Sequence, residues 1–263
     1  MKNLREEWYD PEKKVAVTIV DVTDAAQALA RGHLSGPTAG RFLAEALAAA
    51  ALLGAETSEN GEVVSVQMKC TGPLGGFNVE CTAEGTLRGY TERKILDDFD
   101  GVASQPFSKA DFAAIVGERR LQISRTKPGA IISQGVSNSI DGYLAGSLQR
   151  KAVIYTQAFV SDEAKVLTAR GILIECMPDC ADTSVLAADV GDLSRAPRTI
   201  LSSIGLKDAE LKSSLPIKFA CRCSAERAKE TLRALPQEEC AALPEKIDIT
   251  CHMCGRTFSV ETR

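Results

Sequence analysis

Histidine is scarce in this chain of 263 residues. With only His33 and His252, a Ser/His/Asp centre or a histidine-rich metal site has almost nothing to build with. Aromatic residues make up 5%, which leaves few rings for stacking on bases. Positive charge is not in surplus: 31 Lys and Arg stand against 35 Asp and Glu, a formal net charge of −4. Nothing in that balance recruits nucleic acid or an anionic membrane. Long apolar runs are missing too. The longest, Phe42 to Ala55, is mostly alanine and is interrupted by Glu45, so it predicts a buried helix rather than a bilayer span. The first ten residues carry Glu6, Glu7 and Asp10 and no apolar core, which argues against a signal or transit peptide and predicts a soluble, cytoplasmic protein. With 44% hydrophobic and 25% charged residues the chain has ordinary globular composition, so it is expected to fold.

Cysteine, by contrast, is plentiful. Nine is an odd number for a disulfide framework, and a reducing compartment disfavours one, so these residues read as metal ligands, redox groups or core filler. Their setting follows from the pattern along the chain. Val15 to Val20 predicts a strand, Asp24 to Arg31 a helix, and Pro37 to Leu53 a long alanine-rich helix closed by Gly54. Strands are predicted over 63–69, 77–82 and 85–91, with a turn at 72–76, a short helix over 108–116, and more sheet over 120–126 and 130–136. A helix over 139–150 and two long antiparallel strands over 152–160 and 165–176 complete a mixed α+β domain spanning 1–176. Residues 177–215 read as a linker with marginal helices around 182–190 and 198–213 and no strand pattern. A compact tail, 216–263, follows; its 48 residues are too few to hold together on hydrophobic burial alone, so a staple is expected.

The staple is visible in the spacing. Cys221-Arg-Cys223 opens the tail and Cys251-His-Met-Cys254 closes it, 27 residues later. Two close pairs around one small supersecondary unit supply four thiolates for one tetrahedral zinc ion. Ser224 caps a helix that runs to about Ala234, and 236–243 reads as a second short helix. Four thiolates around Zn²⁺ carry a net −2, which makes Arg222, Arg227 and Arg256 the candidate neighbours that donate to sulfur, and Gly255 suits a tight turn aiming amides at it. Each close pair can also close an internal disulfide once the metal leaves. An oxidant that does so would expel zinc and remove most of the tail's folding free energy.

The stretch Leu215-Pro-Ile-Lys-Phe-Ala-Cys-Arg-Cys-Ser-Ala-Glu-Arg227, with Thr231-Leu-Arg-Ala-Leu-Pro236 and Cys251-His-Met-Cys254, resembles the redox-regulated 33 kDa chaperonin (heat-shock protein 33) family. His33-Leu-Ser-Gly-Pro-Thr-Ala39, Gly72-Pro-Leu-Gly75, Tyr143-Leu-Ala-Gly-Ser-Leu-Gln149 and Gly171-Ile-Leu-Ile-Glu-Cys-Met-Pro178 are similar to it in matching order. The resemblance implies an ATP-independent holdase chaperone, not an enzyme. Reduced and holding one zinc per chain, it would be compact and inactive. Oxidation would release zinc, form the two proximal disulfides, unfold the linker, allow a homodimer and expose apolar surface to unfolding client proteins. The residues this assigns, as zinc ligands and redox cysteines alike, are Cys221, Cys223, Cys251 and Cys254.

Cys70, Cys81, Cys176, Cys180 and Cys240 lie outside that motif and read as inert thiols; a hairpin would set Cys70 opposite Cys81, and Cys176 with Cys180 forms a Cys-x-x-x-Cys. Other signals are weaker. Gly72-Pro-Leu-Gly-Gly76 lacks the Gly-Lys-Ser/Thr ending of a phosphate loop, Asp97-Asp-Phe-Asp-Gly101 lacks the downstream Glu of a calcium loop, and Gly135-Val-Ser-Asn-Ser139 lacks the second glycine of a nucleophile elbow. His33 reads as a surface or capping residue. The alternative function is a structural zinc-ribbon-like module binding nucleic acid or a partner protein. The tail's eight Lys and Arg against seven Asp and Glu offer nucleic acid no basic face. A thiol oxidoreductase using Cys251 and Cys254 would need a thioredoxin-like βαβ context, which the tail does not offer.

Overall fold

The computed structural model describes residues 2–56, 62–101, 105, 107–123, 130–131 and 150–262. The helix expected over 139–150, most of the strand expected over 130–136, and the Gly135–Ser139 stretch lie outside these residues.

Strands β1 (Leu4–Asp10) and β2 (Val15–Asp21) form a hairpin, and helices α1 (Thr23–Gly32) and α2 (Pro37–Leu53) follow. Next come β3 (Val63–Cys70), β4 (Gly76–Thr82) and β5 (Thr86–Thr91), the one-turn α3 (Asp97–Asp100), α4 (Lys109–Val116), β6 (Arg119–Ile123) and β7 (Ala130–Ile131). The long hairpin β8 (Lys151–Val160) and β9 (Val166–Cys176) leads to a 3-10 turn at Ser184–Ala187, then α5 (Pro197–Ser203), β10 (Glu210–Pro216) and β11 (Lys218–Phe219). The tail adds α6 (Ala225–Arg233), α7 (Gln237–Ala241), β12 (Lys246–Thr250) and β13 (Thr257–Glu261).

These strands make a five-stranded sheet in the order β10-β1-β2-β9-β8, a six-stranded sheet β11-β5-β4-β3-β6-β7 and the small hairpin β12-β13. Helix α2 packs against strands of both larger sheets. Its run of alanines lets two sheets approach one helix from opposite sides, which is why fifteen of its residues are buried. The α+β class expected from the sequence is the class found.

Strand β1 was not expected, because Leu4-Arg-Glu-Glu-Trp-Tyr-Asp10 is charged at alternate positions on both faces. Two of those charges, Arg5 and Asp10, are buried. The Arg5 guanidinium donates to the Ala51 carbonyl at the end of α2, and Asp10 accepts the Glu12 and Lys13 amides at 3.1 and 2.9 Å.

Residues 177–215 also depart from expectation. Only a 3-10 turn at 184–187 stands where a helix was expected over 182–190, α-helix occupies 197–203, and residues 210–213, expected to be helical, belong to an edge strand paired antiparallel with β1. Most of β10's side chains face solvent, so backbone pairing rather than a hydrophobic pattern holds it, and no sequence period marks it. The stretch before it is firmly docked. Val185, Val190, Leu193, Ile200, Leu201 and Leu206 form one core with Trp8, Val15, Val17, Ile19, Ile172 and Ile174, on the face of the five-stranded sheet turned away from α2. Polar clamps hold it there. The Arg170 guanidinium donates to the carbonyls of Leu193, Ser194 and Arg195 at 3.0, 2.7 and 3.3 Å and to Asp21 at 2.9 Å. Arg198 lies over the Trp8 ring, 4.7 Å from its centroid, and donates to the Ala209 carbonyl at 3.0 Å.

Candidate metal centre

Cys221 and Cys223 lie just after β11, where the chain leaves the edge of the six-stranded sheet. Ser224 then caps α6 by accepting the Arg227 amide at 3.2 Å, as its residue type predicts. Cys251 and Cys254 bracket the turn between β12 and β13, closed by the Gly255 amide on the Cys251 carbonyl at 2.9 Å. The four sulfurs lie within 4.8 Å of one another, with Cys221 3.8 Å from Cys251 and Cys223 3.5 Å from Cys254. A zinc ion with bonds of about 2.3 Å needs tetrahedral sulfur–sulfur edges of about 3.8 Å, so the four residues fit such an ion. Among the described residues this is the only cluster of three or more Cys, His, Asp or Glu groups able to hold a metal.

Without a cation the four thiols cannot ionise together. At Cys221, burial is outweighed by hydrogen bonds from the Cys223 amide and the neighbouring thiols, which bring it down to about 7. Burial pushes Cys223 and Cys254 up. A metal ion removes this conflict, since its charge favours all four thiolates at once.

The surroundings differ from the expected arginines. Arg227 turns its guanidinium to the Arg222 carbonyl at 2.9 Å, and Arg256 meets Cys254 through its backbone amide. The guanidinium that reaches sulfur is Arg88 on β5, which hydrogen-bonds Cys221 while paired with Glu80 at 2.6 Å. Sequence spacing gives no hint of it, because 133 positions separate Arg88 from Cys221 and only the β5–β11 pairing joins them.

The cluster is seated on the main body. Cys254 belongs to the large core around α2, with Cys221, Cys223 and Cys251 packed against that core. Backbone meets backbone there: a Cβ on Gly32 would stand 2.6 Å from the Cys254 carbonyl oxygen, and one on Gly255 only 2.0 Å from that of Gly32. Gly255 also has φ +72°, so both space and backbone demand glycine. The Gly89 amide donates to the Met253 carbonyl at 3.0 Å. His33, expected as a surface or capping residue, is the C-cap of α1; it is partly buried at this contact, and its Nε2 donates to the Gly89 carbonyl at 3.0 Å. Burial, with Lys94 nearby, takes its imidazole down to about 4, so it is neutral at pH 7. The other histidine, His252, meets the Tyr90 ring edge-on at 4.0 Å.

The remaining cysteines lie elsewhere. Cys81 pairs with Val64, whereas Cys70 at the far end of β3 pairs with Arg119, so the two do not face each other. Burial pushes Cys81 up to about 12. Cys240 donates to the Leu232 carbonyl inside the tail.

Comparison with known proteins agrees with this picture. The family model described as "Hsp33 protein" matches residues 8–261. The chain is similar to the 33 kDa chaperonin of Lactiplantibacillus plantarum, 27% identical over 94% of this chain and 90% of that protein. It is similar to the 33 kDa chaperonin of Thermus thermophilus, 26% identical over 92% and 79%. Its fold is that of the 33 kDa chaperonin (heat shock protein 33 homolog) of Thermotoga maritima, with a TM-score of 0.84, 18% identity and coverage of 100% of this chain and 96% of that one. With the family match reaching from β1 into β13, the chain belongs to the Hsp33 family, whose members are chaperones rather than enzymes.

Proposed function

We propose that this protein is a redox-switched, ATP-independent holdase of the cytoplasm, inactive when reduced and active when its tail cysteines are oxidised. The observation that carries the reading is the seating of four convergent sulfurs against the main core, in a chain whose 185–206 segment covers apolar residues of the five-stranded sheet. Zinc, when bound, would keep Cys221, Cys223, Cys251 and Cys254 as thiolates and tie the two ends of the tail together.

Joining Cys221 to Cys223 and Cys251 to Cys254 consumes all four thiolates and leaves no ligand set for a metal. The tail's own core is small, centred on Ala228, Leu232 and Val260, so it has little to fall back on. Its loosening would reach the linker through β11 and β10, baring the apolar face around Val17, Ile19, Ile172 and Ile174. That surface would hold unfolding clients, and two such molecules would pair as a homodimer.

The reading is tested by peroxide titration of the zinc-loaded, reduced protein at mildly elevated temperature. Zinc release, one ion per chain, should run in step with the loss of four thiols and with suppression of aggregation of an unfolding client. Zinc release without any chaperone activity would refute the switch. In the whole molecule, no described helix is long and apolar enough to cross a membrane.

A further inference from the structure

Outside the tail, two cysteines lie four positions apart and share one core. Cys176 is the last residue of β9, and Cys180 ends the turn that follows, closed by the Cys180 amide on the Met177 carbonyl at 2.9 Å. The Met177 amide is itself fixed on the Lys14 carbonyl at 2.9 Å, so the turn is tied to the end of the five-stranded sheet. The Cys180 thiol donates toward the Asp182 carbonyl at 3.1 Å, and the Cys176 and Cys180 thiols interact electrostatically. Both cysteines are buried, 5% and 8% exposed, in the core that the docked segment makes with the sheet. No third metal ligand joins them among the described residues.

We infer that Cys176 and Cys180 form a second dithiol–disulfide couple, closed by peroxide once the segment covering them leaves the sheet. The use of linker release rests on the function proposed above; the couple itself does not. The chemistry balances with peroxide as oxidant. One thiolate sulfur attacks the O–O bond, taking one oxygen as sulfenic acid while the other leaves as hydroxide and picks up a proton as water. The second thiolate then attacks the sulfenic sulfur, the S–S bond forms, the S–O bond breaks and a second water departs. Two thiols lose two electrons and two protons, and peroxide becomes two waters.

Geometry supports the product and burial sets the order. Residues four apart across a tight turn, buried in the same core, need little backbone motion to reach disulfide distance. While the segment is docked, burial pushes Cys176 up to about 11, its interaction with Cys180 adding to the effect, and both residues are buried. Relative to a thiol near 9, that cuts the thiolate fraction at neutral pH by about a hundredfold. The couple therefore reacts after release and not before. Its bond closes a five-residue ring, so the linker's root stays moored to β9 while the chain beyond it is free.

The test is thiol trapping on the full-length, zinc-loaded protein. After peroxide, samples are alkylated and the tryptic peptide holding Cys176 and Cys180 is weighed. In the wild type it should stay doubly alkylated while zinc is bound, then become an unalkylated internal disulfide after zinc leaves. Arg170→Ala, which removes the clamp on residues 193–195, should form the bond at least about tenfold faster with zinc still bound. This arm reads the couple even if the zinc switch fails; if the variant does not fold, wild type in urea below its unfolding midpoint replaces it. Persistent double alkylation after release, or linkage of either residue to another cysteine, would overturn the inference. Disulfide formation in the docked wild type would overturn its order.

Discussion

Gly32 and Gly255 show how little a single residue can change at the metal knuckle. The two lie carbonyl against α-carbon, and Gly255 has a positive φ. Gly255→Ala therefore adds both strain and a collision, about 1–3 kcal/mol from the backbone conformation alone. The variant should surrender its metal to a chelator about tenfold faster or more, with new protease cuts in the tail; wild-type retention would contradict the packing. The four ligand-type cysteines were legible in the sequence because their spacing is local: Cys-x-Cys and Cys-x-x-Cys each fit one turn. Arg88 and His33 were not legible, because their approach to the knuckle depends on strand β5 and the end of α1 meeting it in space.

Among elements, the segment leading from β9 to β10 is the one whose hold matters most for the proposed switch. Arg170 serves it twice, through three carbonyls and through a buried pair with Asp21. Arg170→Ala leaves the Asp21 carboxylate without that partner, and breaking a buried pair costs about 3–5 kcal/mol. Hydrogen exchange should then speed up over residues 185–206 and the reduced protein should gain holdase activity; unchanged protection would show that the apolar contacts alone hold the segment. Helix α1 and strands β2, β3 and β4 could be read from period and punctuation, since each buries a regular face, α2 from its apolar run between Pro37 and Gly54, and β8 and β9 from two apolar runs either side of a Ser-Asp-Glu turn. Strands β1 and β10 could not. Charged or exposed side chains hide both, and what makes them strands is the neighbour each pairs with.

At the scale of the molecule, the chain divides its stability unevenly. The large core around α2 joins both sheets, whereas the tail keeps only Ala228, Leu232 and Val260 fully inside its own small cluster. Removing metal from the reduced protein with a chelator should therefore disorder the tail and leave the two larger sheets folded. Limited proteolysis read by mass spectrometry should find early cuts within 221–262 and late cuts in 15–53; simultaneous loss of both regions would mean that the tail is no separable unit. The sequence conveyed that the tail needed a staple. It did not convey that Cys254 sits within the main core, because that contact is made by backbone and by sulfur rather than by any patterned side chain.

Strands β10 and β11 are separated by Ile217 alone, yet one borders the five-stranded sheet and the other the six-stranded sheet. A single ribbon thus hems two garments with one thread. Cys221 lies two residues past Phe219, so tension applied at the first sulfur is felt along both borders. Should the ribbon peel away, β1 and β5 each lose their outer neighbour together, and two rows of amides and carbonyls turn at once to water.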